Sequence, residues 1–584
     1  MKILTFILSI FFTCFSLISQ VHKTPHSFSG KFERPEDVNT GSLLIGPPVP
    51  YFYVPLLDTS AAIPGLTQYY DYGTNGNSYK KIWVKGDTII VAAHCSDSLR
   101  SSIQSSRRVK YSYTTSYGFE TFYDVPVSDT TFAYPDLVPV IDGGSRTVLL
   151  SGYGAPLGGV IGIDVILGAG SITRSSIHGS EIESAELQNQ FVGCVYSNTI
   201  DSLFFRKYNY STNVFSSPIY IAQVSSSSRY YIASSQSGTN VFIMWWNSIS
   251  GDLKGRESTN GGDTFGPVIT VCPAIYNAGG IAVTPWYCAS LIYKPGTTTP
   301  YAAFSTLASG YEPTAKGSKV LVWSPALNGG QPVICADWSN ITSGFINDTT
   351  LFNNNLRNIQ FGITPVSNPS IAFSENGTGL ACVFSTVLKD TSYYGFHFNN
   401  VFYCYSSTGG SSWSNSGTLG CAMPLNSISP GQDQIYPVVS QTGNTVYKFY
   451  ATYSLSAYPG SSSFQNTNTP KSRVYQVIRD FCPTTWFGIT TISNEIPREY
   501  RIEQNYPNPF NPKTIIKFDI LKASDVRITI FDVSGREVQR LVQQKLNAGK
   551  YSIDFDAGQL SSGVYFYSII AGDFVQTKKM ILVK

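Results

Sequence analysis

Charge is scarce in this 584-residue sequence: Asp, Glu, Lys and Arg make up 13% of it, well below the ~25% of an ordinary soluble domain. The net charge of +3 gives a nucleic acid or an acidic partner no field to follow. Histidine is scarcer still, with 5 in all, and His94, His178 and His397 stand apart with no metal-site spacing. The ten cysteines contain no Cys-x-x-Cys pair, which argues against structural zinc. A Gly-x-Ser-x-Gly elbow is missing, and Gly168-Ala169-Gly170 opens no helix that would cradle phosphate. Beyond residue 20 no apolar run reaches the ~20 residues of a membrane-spanning helix, so no transmembrane segment is expected. No cofactor is expected either. The one oxygen-rich stretch that could hold calcium, Asp71-Tyr72-Gly73-Thr74-Asn75-Gly76-Asn77, departs from the EF-hand loop and reads more simply as a turn.

Aromatic and turn-forming residues fill the space that charge leaves. The chain has 38 Tyr, 35 Phe, 50 Gly and 32 Pro, with 42% hydrophobic residues overall. Such text predicts strands joined by turns rather than helices. Its length exceeds what one core supports, so two or more all-β domains are expected.

The N-terminus has the layout of an export signal. Met1-Lys2 gives a positive start, Ile3 to Ile18 is mostly apolar, and polar His22-Lys23-Thr24-Pro25 follows. Residues 1–20 are therefore read as a secretory signal peptide. Cys14 lies inside the apolar run and is not read as lipid-modified. The other cysteines (Cys95, Cys194, Cys272, Cys288, Cys335, Cys382, Cys404, Cys421 and Cys482) are odd in number, so at least one stays free or pairs between molecules. Cys272–Cys288 and Cys404–Cys421 are near enough in sequence to form disulfides in an oxidising compartment. Buried free thiols are the alternative.

From Tyr500 the text changes. Asn505-Tyr506-Pro507-Asn508-Pro509-Phe510-Asn511-Pro512 cannot donate a regular ladder of hydrogen bonds. Runs with period-two alternation follow at Thr514 to Ile520, Val526 to Asp532, Tyr551 to Phe555, Val564 to Ile570 and Phe574 to Val583, broken by Gly535, Gly549, Gly558, Gly563 and Gly572. They predict a small immunoglobulin-like β-sandwich over 500–584. This segment resembles the type A C-terminal sorting domain of the type IX secretion system of Bacteroidetes. The likeness rests on the Asn505 to Thr514 text, Phe531 to Val538 with Gly535-Arg536, the Ala548-Gly549-Lys550-Tyr551 turn, Leu560 to Tyr567 with Gly563 and Tyr565, and the closing Lys578-Lys579-Met580-Ile581-Leu582-Val583-Lys584. Asp554-Phe555-Asp556-Ala557-Gly558 is a mild departure. The resemblance implies a passenger recognised at the outer membrane through this tag, by the secretion and sorting machinery, and then released or surface-attached. The expected cut lies in a linker over 484–499, where few contacts should cross.

Ahead of the linker one pattern recurs: an extended run, a turn, then a strongly apolar strand. Copies begin near Ile82, Leu137, Phe191, Tyr230, Tyr287, Pro369 and Tyr436, about 40 to 80 residues apart. Residues 79–483 are accordingly read as a β-propeller of about seven blades, six being the alternative, with stacked β-sandwiches as the competing fold. Insertions such as Asn340 to Phe361 fall in loops. The last blade offers three strands, so the segment 21–78 is expected to supply a ring-closing strand, either Tyr51 to Val54 or Gln68 to Tyr70.

Ser258-Thr259-Asn260-Gly261-Gly262-Asp263-Thr264-Phe265 and Ser406-Ser407-Thr408-Gly409-Gly410-Ser411-Ser412-Trp413 are similar to the Asp-box (BNR) repeats of sialidase-like propellers, with Asn260 and Thr408 replacing the aspartate. Thr114 to Phe122 is a weaker third candidate. The resemblance implies structural turns in which a small polar side chain bonds loop amides, Gly takes positive φ and an aromatic ring plugs between sheets. A sialidase needs three clamping arginines, a Tyr–Glu nucleophile pair and an acid. Arg34-Pro35 is a poor substitute for the family's first arginine. Nothing in the sequence aligns Arg146, Arg174, Arg229, Arg256 and Arg357, and Asp142, Asp164, Glu375 and Asp433 read as turn carboxylates. No catalytic or metal residues are therefore assigned. The expected product is an exported propeller binding a glycan or a surface protein, with Tyr69-Tyr70, Trp245-Trp246 or Tyr393-Tyr394 as stacking aromatics unless they are core. A glycoside hydrolase and a structural adhesion component are the competing classes.

Overall fold

The computed structural model describes residues 60–584 apart from 69–79, 96–107, 115–122, 127–131, 310–315, 338–364, 414–422, 425–432, 457–472, 482–489 and gaps of one to three residues elsewhere. The signal peptide, the calcium candidate, most of the third Asp-box candidate, Tyr51 to Val54 and the long insertion lie outside the described residues. What is described is built from strands, with one three-residue 3-10 turn, Asn328–Gly330.

Among the described residues up to 481 the strands form seven antiparallel sheets of four or five strands each. They follow the chain in order, beginning at residues 82, 132, 183, 229, 276, 366 and 433. Each sheet is sandwiched between two others. Tyr111 of the first packs with Leu150 of the second, Ile161 with Tyr208 of the third, and Phe205 with Trp245 of the fourth. Trp246 then meets Phe304 of the fifth, Val322 meets Phe384 of the sixth, and Val401 meets Phe449 of the seventh. Val438 and Tyr450 of the seventh return to Val84 and Val91 of the first. Seven sheets joined by seven cores make a closed ring, the arrangement of a β-propeller. A strand covered on both faces carries no polar face, which explains Val241–Trp246 and Lys319–Trp323, buried at every position.

The seventh sheet is completed from the other end of the chain. Its order runs from Asp433–Val439 through Phe449–Ser456 and Arg473–Phe481 to Ser60–Gln68, with Ser60 opposite Ile478 and Gln68 opposite Arg473. The closing strand is thus neither Tyr51 to Val54 nor one that starts at Gln68. Pro64 and Gly65 disguise it, and they fall where the register shifts between Ala62 and Thr67. An edge strand tolerates a proline at such a bulge.

A similar device recurs in the innermost strands, which border the ring's centre. Register shifts precede Asp136, Ser370 and Val438, and each of these residues follows a proline (Pro135, Pro369, Pro437). Asn368 and Tyr436, just before two of those prolines, take φ of 52° and 56°.

The tail is a separate two-layer sandwich. Thr490–Ser493, Gly549–Asp556, Lys513–Ile520 and Arg501–Ile502 form one sheet, and Glu537–Leu546, Ser524–Phe531, Gly563–Ala571 and Phe574–Leu582 the other. One core containing Phe518, Ile528, Tyr567 and Met580 lies between them. Thr490–Ser493 pairs with Gly549–Asp556, so residues expected to be linker are an edge strand of the tail.

Candidate functional site

Successive antiparallel strands place the first and third turns of each sheet on one rim of the ring. The second turns and the sheet-to-sheet connections lie on the opposite rim. The two rims differ in construction.

The first rim is closed by short turns held by side chains. In Ser258 to Phe265, Ser258 Oγ donates to Asn260 Oδ1 at 2.8 Å and accepts the Gly262 amide at 2.9 Å, while Asn260 Oδ1 accepts the Thr264 amide at 3.0 Å. Phe265 meets Phe205 of the third sheet edge-on at 5.1 Å. Gly262 sits at φ 86°, and a Cβ there would lie 2.5 Å from the Phe205 ring. The second box repeats the plan: Ser406 Oγ accepts the Gly410 amide at 2.7 Å, Thr408 Oγ1 accepts the Ser412 amide at 2.9 Å, and Trp413 is buried in the seam with the fifth sheet. Where the second sheet turns at the same place, Asp164 stands in for the serine, accepting the Gly170 amide and the Tyr111 hydroxyl at 2.8 and 2.6 Å. Burial and this carboxylate push the Tyr111 hydroxyl well above the ordinary phenol range.

The first turns of three sheets share a pattern that the sequence reading had not isolated: Ser235-Gln236-Ser237-Gly238, Ser374-Glu375-Asn376-Gly377 and Ser440-Gln441-Thr442-Gly443. Each serine is buried, and each glycine has positive φ. The following residues link neighbouring turns. Gln236 accepts the Gly296 amide at 3.0 Å, Glu375 accepts the Gly443 amide at 3.1 Å, and Thr442 accepts the Val84 amide at 3.1 Å. Glu375 is thereby a rim latch.

Beside the ring's centre the first four sheets are tied together. Lys80 Nζ donates to Asp136 Oδ2 at 3.3 Å, to Ser184 O at 2.6 Å and to Ile232 O at 2.9 Å, joining the first four sheets. Asp136 also accepts the backbone amides of Lys80 and Ser184 at 3.2 and 3.0 Å, and Ser184 Oγ meets Ser151 Oγ at 2.6 Å. Lys81 is fully buried, and that burial pushes its ammonium down to about 7 against the opposing pull of Asp136 and Glu183. Lys80, Lys81, Asp136 and Glu183 were absent from the sequence-based candidates. The signals available were the tandem lysines ahead of an apolar strand and Pro135-Asp136. The ammonium of Lys80 has three acceptors and Asp136 four donors, so the cluster satisfies itself.

The candidate arginines and carboxylates that are described are spread over the second, fourth and sixth sheets. Arg174 lies on the outer strand of the second sheet. Arg229 opens the inner strand of the fourth, and Arg256 donates to the carbonyls of Ile221, Phe265 and Gly266. Asp164 and Glu375 belong to the second and sixth sheets. The side chains of Asp142, Asp433, Arg146, His94 and His397 lie outside the described residues, as do Arg357 and His178 entirely. A tyrosine–carboxylate pair does form, Tyr293 to Glu257 at 2.9 Å, but its further partner is Asn240 and it sits on the latched rim. Trp245 and Trp246 are buried, 1% and 4% exposed, and are core rather than platforms for sugar rings. Cys272 and Cys404 are buried and outside any disulfide, and the Cys288 side chain and Cys421 lie outside the described residues. Among the described residues no cluster could hold a metal ion.

The strands Thr88–Cys95, Val333–Asp337, Leu380–Tyr393 and Phe449–Ser456 end toward the opposite rim, and the residues that follow them directly lie outside the described residues.

The tail's motif is a clamp on the last strand. Asn505, 2% exposed, donates through Nδ2 to Pro507 O and Thr514 Oγ1, both at 3.0 Å, and its amide donates to the Tyr567 hydroxyl at 2.8 Å. Asn508 Oδ1 accepts the Ile581 amide at 2.9 Å, and Gln504 Nε2 donates to Lys579 O at 2.7 Å. Phe510 enters the core while its amide donates to Ile581 O and its carbonyl accepts the Val583 amide. Pro507, Pro509 and Asn511 stay exposed, and Pro512 O accepts the Ala557 amide. Gly535 takes φ 78° in a turn where Asp532 binds Arg536 at 3.0 Å, and hydrogen bonds, first from Ser534, hold the Asp532 carboxyl below its usual range. Gly549 faces Ile520 and Gly563 faces Leu582 at strand starts, Tyr565 donates to Ser561 O, and the Lys584 amide donates to Ser562 Oγ.

Residues 504–584 match the family model of the secretion system C-terminal sorting domain. No curated protein matches the chain. Among solved structures, a prolyl endopeptidase is similar at 10% identity and TM-score 0.34, over 77% of this chain and only 55% of that one. Aleuria aurantia lectin with α-methyl-L-fucoside matches at 9% identity and TM-score 0.33, over 60% and 98%. NanB sialidase from Streptococcus pneumoniae matches at 10% and 0.34, over 70% of each chain. At these scores none bears on ligand or chemistry here. The ring and the tail together define the class: an all-β propeller protein carrying a secretion sorting domain. Its destination is the cell surface or the extracellular space, and no helix among the described residues is long and apolar enough to cross a membrane.

Proposed function

We propose that the protein is a ligand-binding passenger delivered by type IX secretion, which engages a glycan or a surface protein through the rim opposite its latched turns. The signal peptide over 1–20 starts export, each of the seven sheets over 79–483 with its N-terminal closing strand is a blade, and the tail addresses the sorting machinery. With Thr490–Ser493 inside the tail's sheet, the cut falls ahead of residue 490. The carrying observation is the difference between the rims. One is locked by side-chain latches, and beside the centre Asp136 is taken up by Lys80 and backbone amides. That leaves the opposite rim as the surface free to vary, where binding residues on a rigid scaffold collect.

The same observation weighs against a glycoside hydrolase. Such an enzyme needs two free carboxyl groups about 5 to 10 Å apart, whereas Asp136 is saturated by amides and an ammonium. The test is a glycan array with the full mature protein, run beside hydrolysis assays on aryl glycosides. Binding without turnover supports the reading. Turnover replaces it with the hydrolase, and silence on the array together with no captured cell-surface protein leaves the structural adhesion role.

A further inference from the structure

The two outward faces of the tail differ in chemistry. In the first sheet Ile516, Phe518 and Ile520 enter the core, so the alternate positions of Lys513–Ile520 face outward. There Lys513, Lys517 and Asp519 surround one apolar residue, Ile515. In the second sheet Ile528, Ile530, Tyr567, Ile569, Met580 and Leu582 enter the core, which turns Phe531, Val564, Phe566, Ile570, Val575 and Ile581 outward. Strand pairing sets these in rows. Val564 stands beside Ile581, and Phe566 between Phe531 and Lys579. Ser568 follows between Thr529 and Thr577, then Ile570 between Arg527 and Val575. Neighbours in such a row have Cβ atoms about 4.5–5.5 Å apart, so the side chains form one continuous surface. Val575 is 61% exposed and the other five apolar residues are half-buried. A sheet with one solvated face normally keeps that face polar, and an apolar patch with a polar rim indicates an interaction site.

We propose that this face is where the outer-membrane sorting machinery grips the tail, meeting it with an apolar surface that carries carboxylates opposite Lys579 and Arg527. This rests on the sorting reading and locates it on one face. The face lies within residues 504–584, which match the sorting-domain family. The charged side chains within its rows, Lys579 and Arg527, are both cations. A second copy laid face to face offers them only further cations, whereas an acidic partner pairs with them and gains rate and specificity.

Strand addition is not the alternative route. The outward backbone groups of the last strand at Lys579, Ile581 and Val583 are taken by Gln504, Asn508 and Phe510, so at these positions the edge is closed to a partner's strand. The proline-rich clamp thereby blocks an indiscriminate mode of pairing and leaves the side chains of the face to choose the partner.

Delivery of the full chain is the test, with the cell's own machinery as the probe and fractionation with immunoblot as the readout. Val575→Asp and Lys579→Glu alter exposed side chains outside the core. Each is expected to lower the delivered fraction by about tenfold or more, as loss of a central contact does, with the protein retained in the periplasm. Ile515→Asp puts a carboxylate on the first sheet's outward face and is expected to be delivered like the native chain. Each purified variant is also melted. An unchanged tail transition makes the loss one of recognition, and should Val575→Asp not fold, Lys579→Glu decides alone. Native delivery of the folded face variants, or an equal loss for Ile515→Asp, overturns the proposal. A dimer of the mature protein in sedimentation that Val575→Asp disperses overturns it in favour of a second copy. Deleting 490–584 separates the two readings. Retention of the deleted chain with delivery of the face variants removes the face alone, and delivery of the deleted chain removes the sorting reading with it.

Discussion

In the ring, Val241–Trp246 is buried at every residue, whereas in the tail Lys513–Ile520 alternates exposed and buried positions nearly throughout. Both are antiparallel strands of similar length. The difference is the number of neighbours: a sheet inside the ring has another on each face, and a sheet of the two-layer tail has one. Alternation therefore reports a surface layer, and a continuous apolar run reports an enclosed one. The two regions also close differently. The ring closes by pairing Ser60–Gln68 with Arg473–Phe481, and the tail by wrapping Gln504 to Phe510 around its last strand.

If the regions are independent, deleting 490–584 has the largest effect on location and none on the ring. The truncated protein is expected in the periplasm and absent from surface and medium by fractionation and immunoblot. The ring's calorimetric transition should be unchanged, and surface delivery of the truncated protein would break the comparison. Next is Asp136→Ala, which leaves the buried Lys80 ammonium with carbonyls alone. A loss of about 3–5 kcal/mol is expected, read in denaturant from the ring's transition and absent from the tail's.

Two glycines sharpen the contrast. Gly262→Ala drives a Cβ into the Phe205 ring at positive φ and should cost about 1–3 kcal/mol beyond backbone strain. Gly535→Ala in the tail has open space around it at φ 78°, so only the left-handed strain of about 1–2 kcal/mol is expected. Equal losses would show that packing at the Asp-box turn is unimportant.

The smallest effect is one of pH. Lys81 is pushed from 10.5 to about 7 in the folded ring. Between those values the unfolded chain holds a proton that the folded chain does not, so stability rises with pH across that window. The slope contributed is at most about 1.4 kcal/mol per pH unit. Lys81→Met should flatten it, seen as a smaller change in denaturant midpoint between pH 7 and 9. An unaltered slope would clear this lysine.

Much of the architecture was legible because it is written in local text. Gly261-Gly262 and Gly409-Gly410 announce turns through their φ, Asn505 to Pro512 announces a segment that cannot enter a ladder, and the recurring hairpins announce the ring. Ser60–Gln68 was misplaced because Pro64 and Gly65 carry the text of a turn. The latches at Gln236 and Glu375 were passed over because an exposed polar residue in a turn looks the same whether or not it reaches a neighbour.

By itself the sequence determined an all-β chain, its division into a repeated ring and an alternating tail, and the tail's sorting motif, since propensity, period and turn chemistry act over a few residues. Only the tertiary structure decided which residues share a centre. Lys80 reaches Ile232, 152 positions away, and Cys335 meets Cys404 across 69. Such meetings depend on how whole sheets stack, and stacking leaves no mark on the residues between.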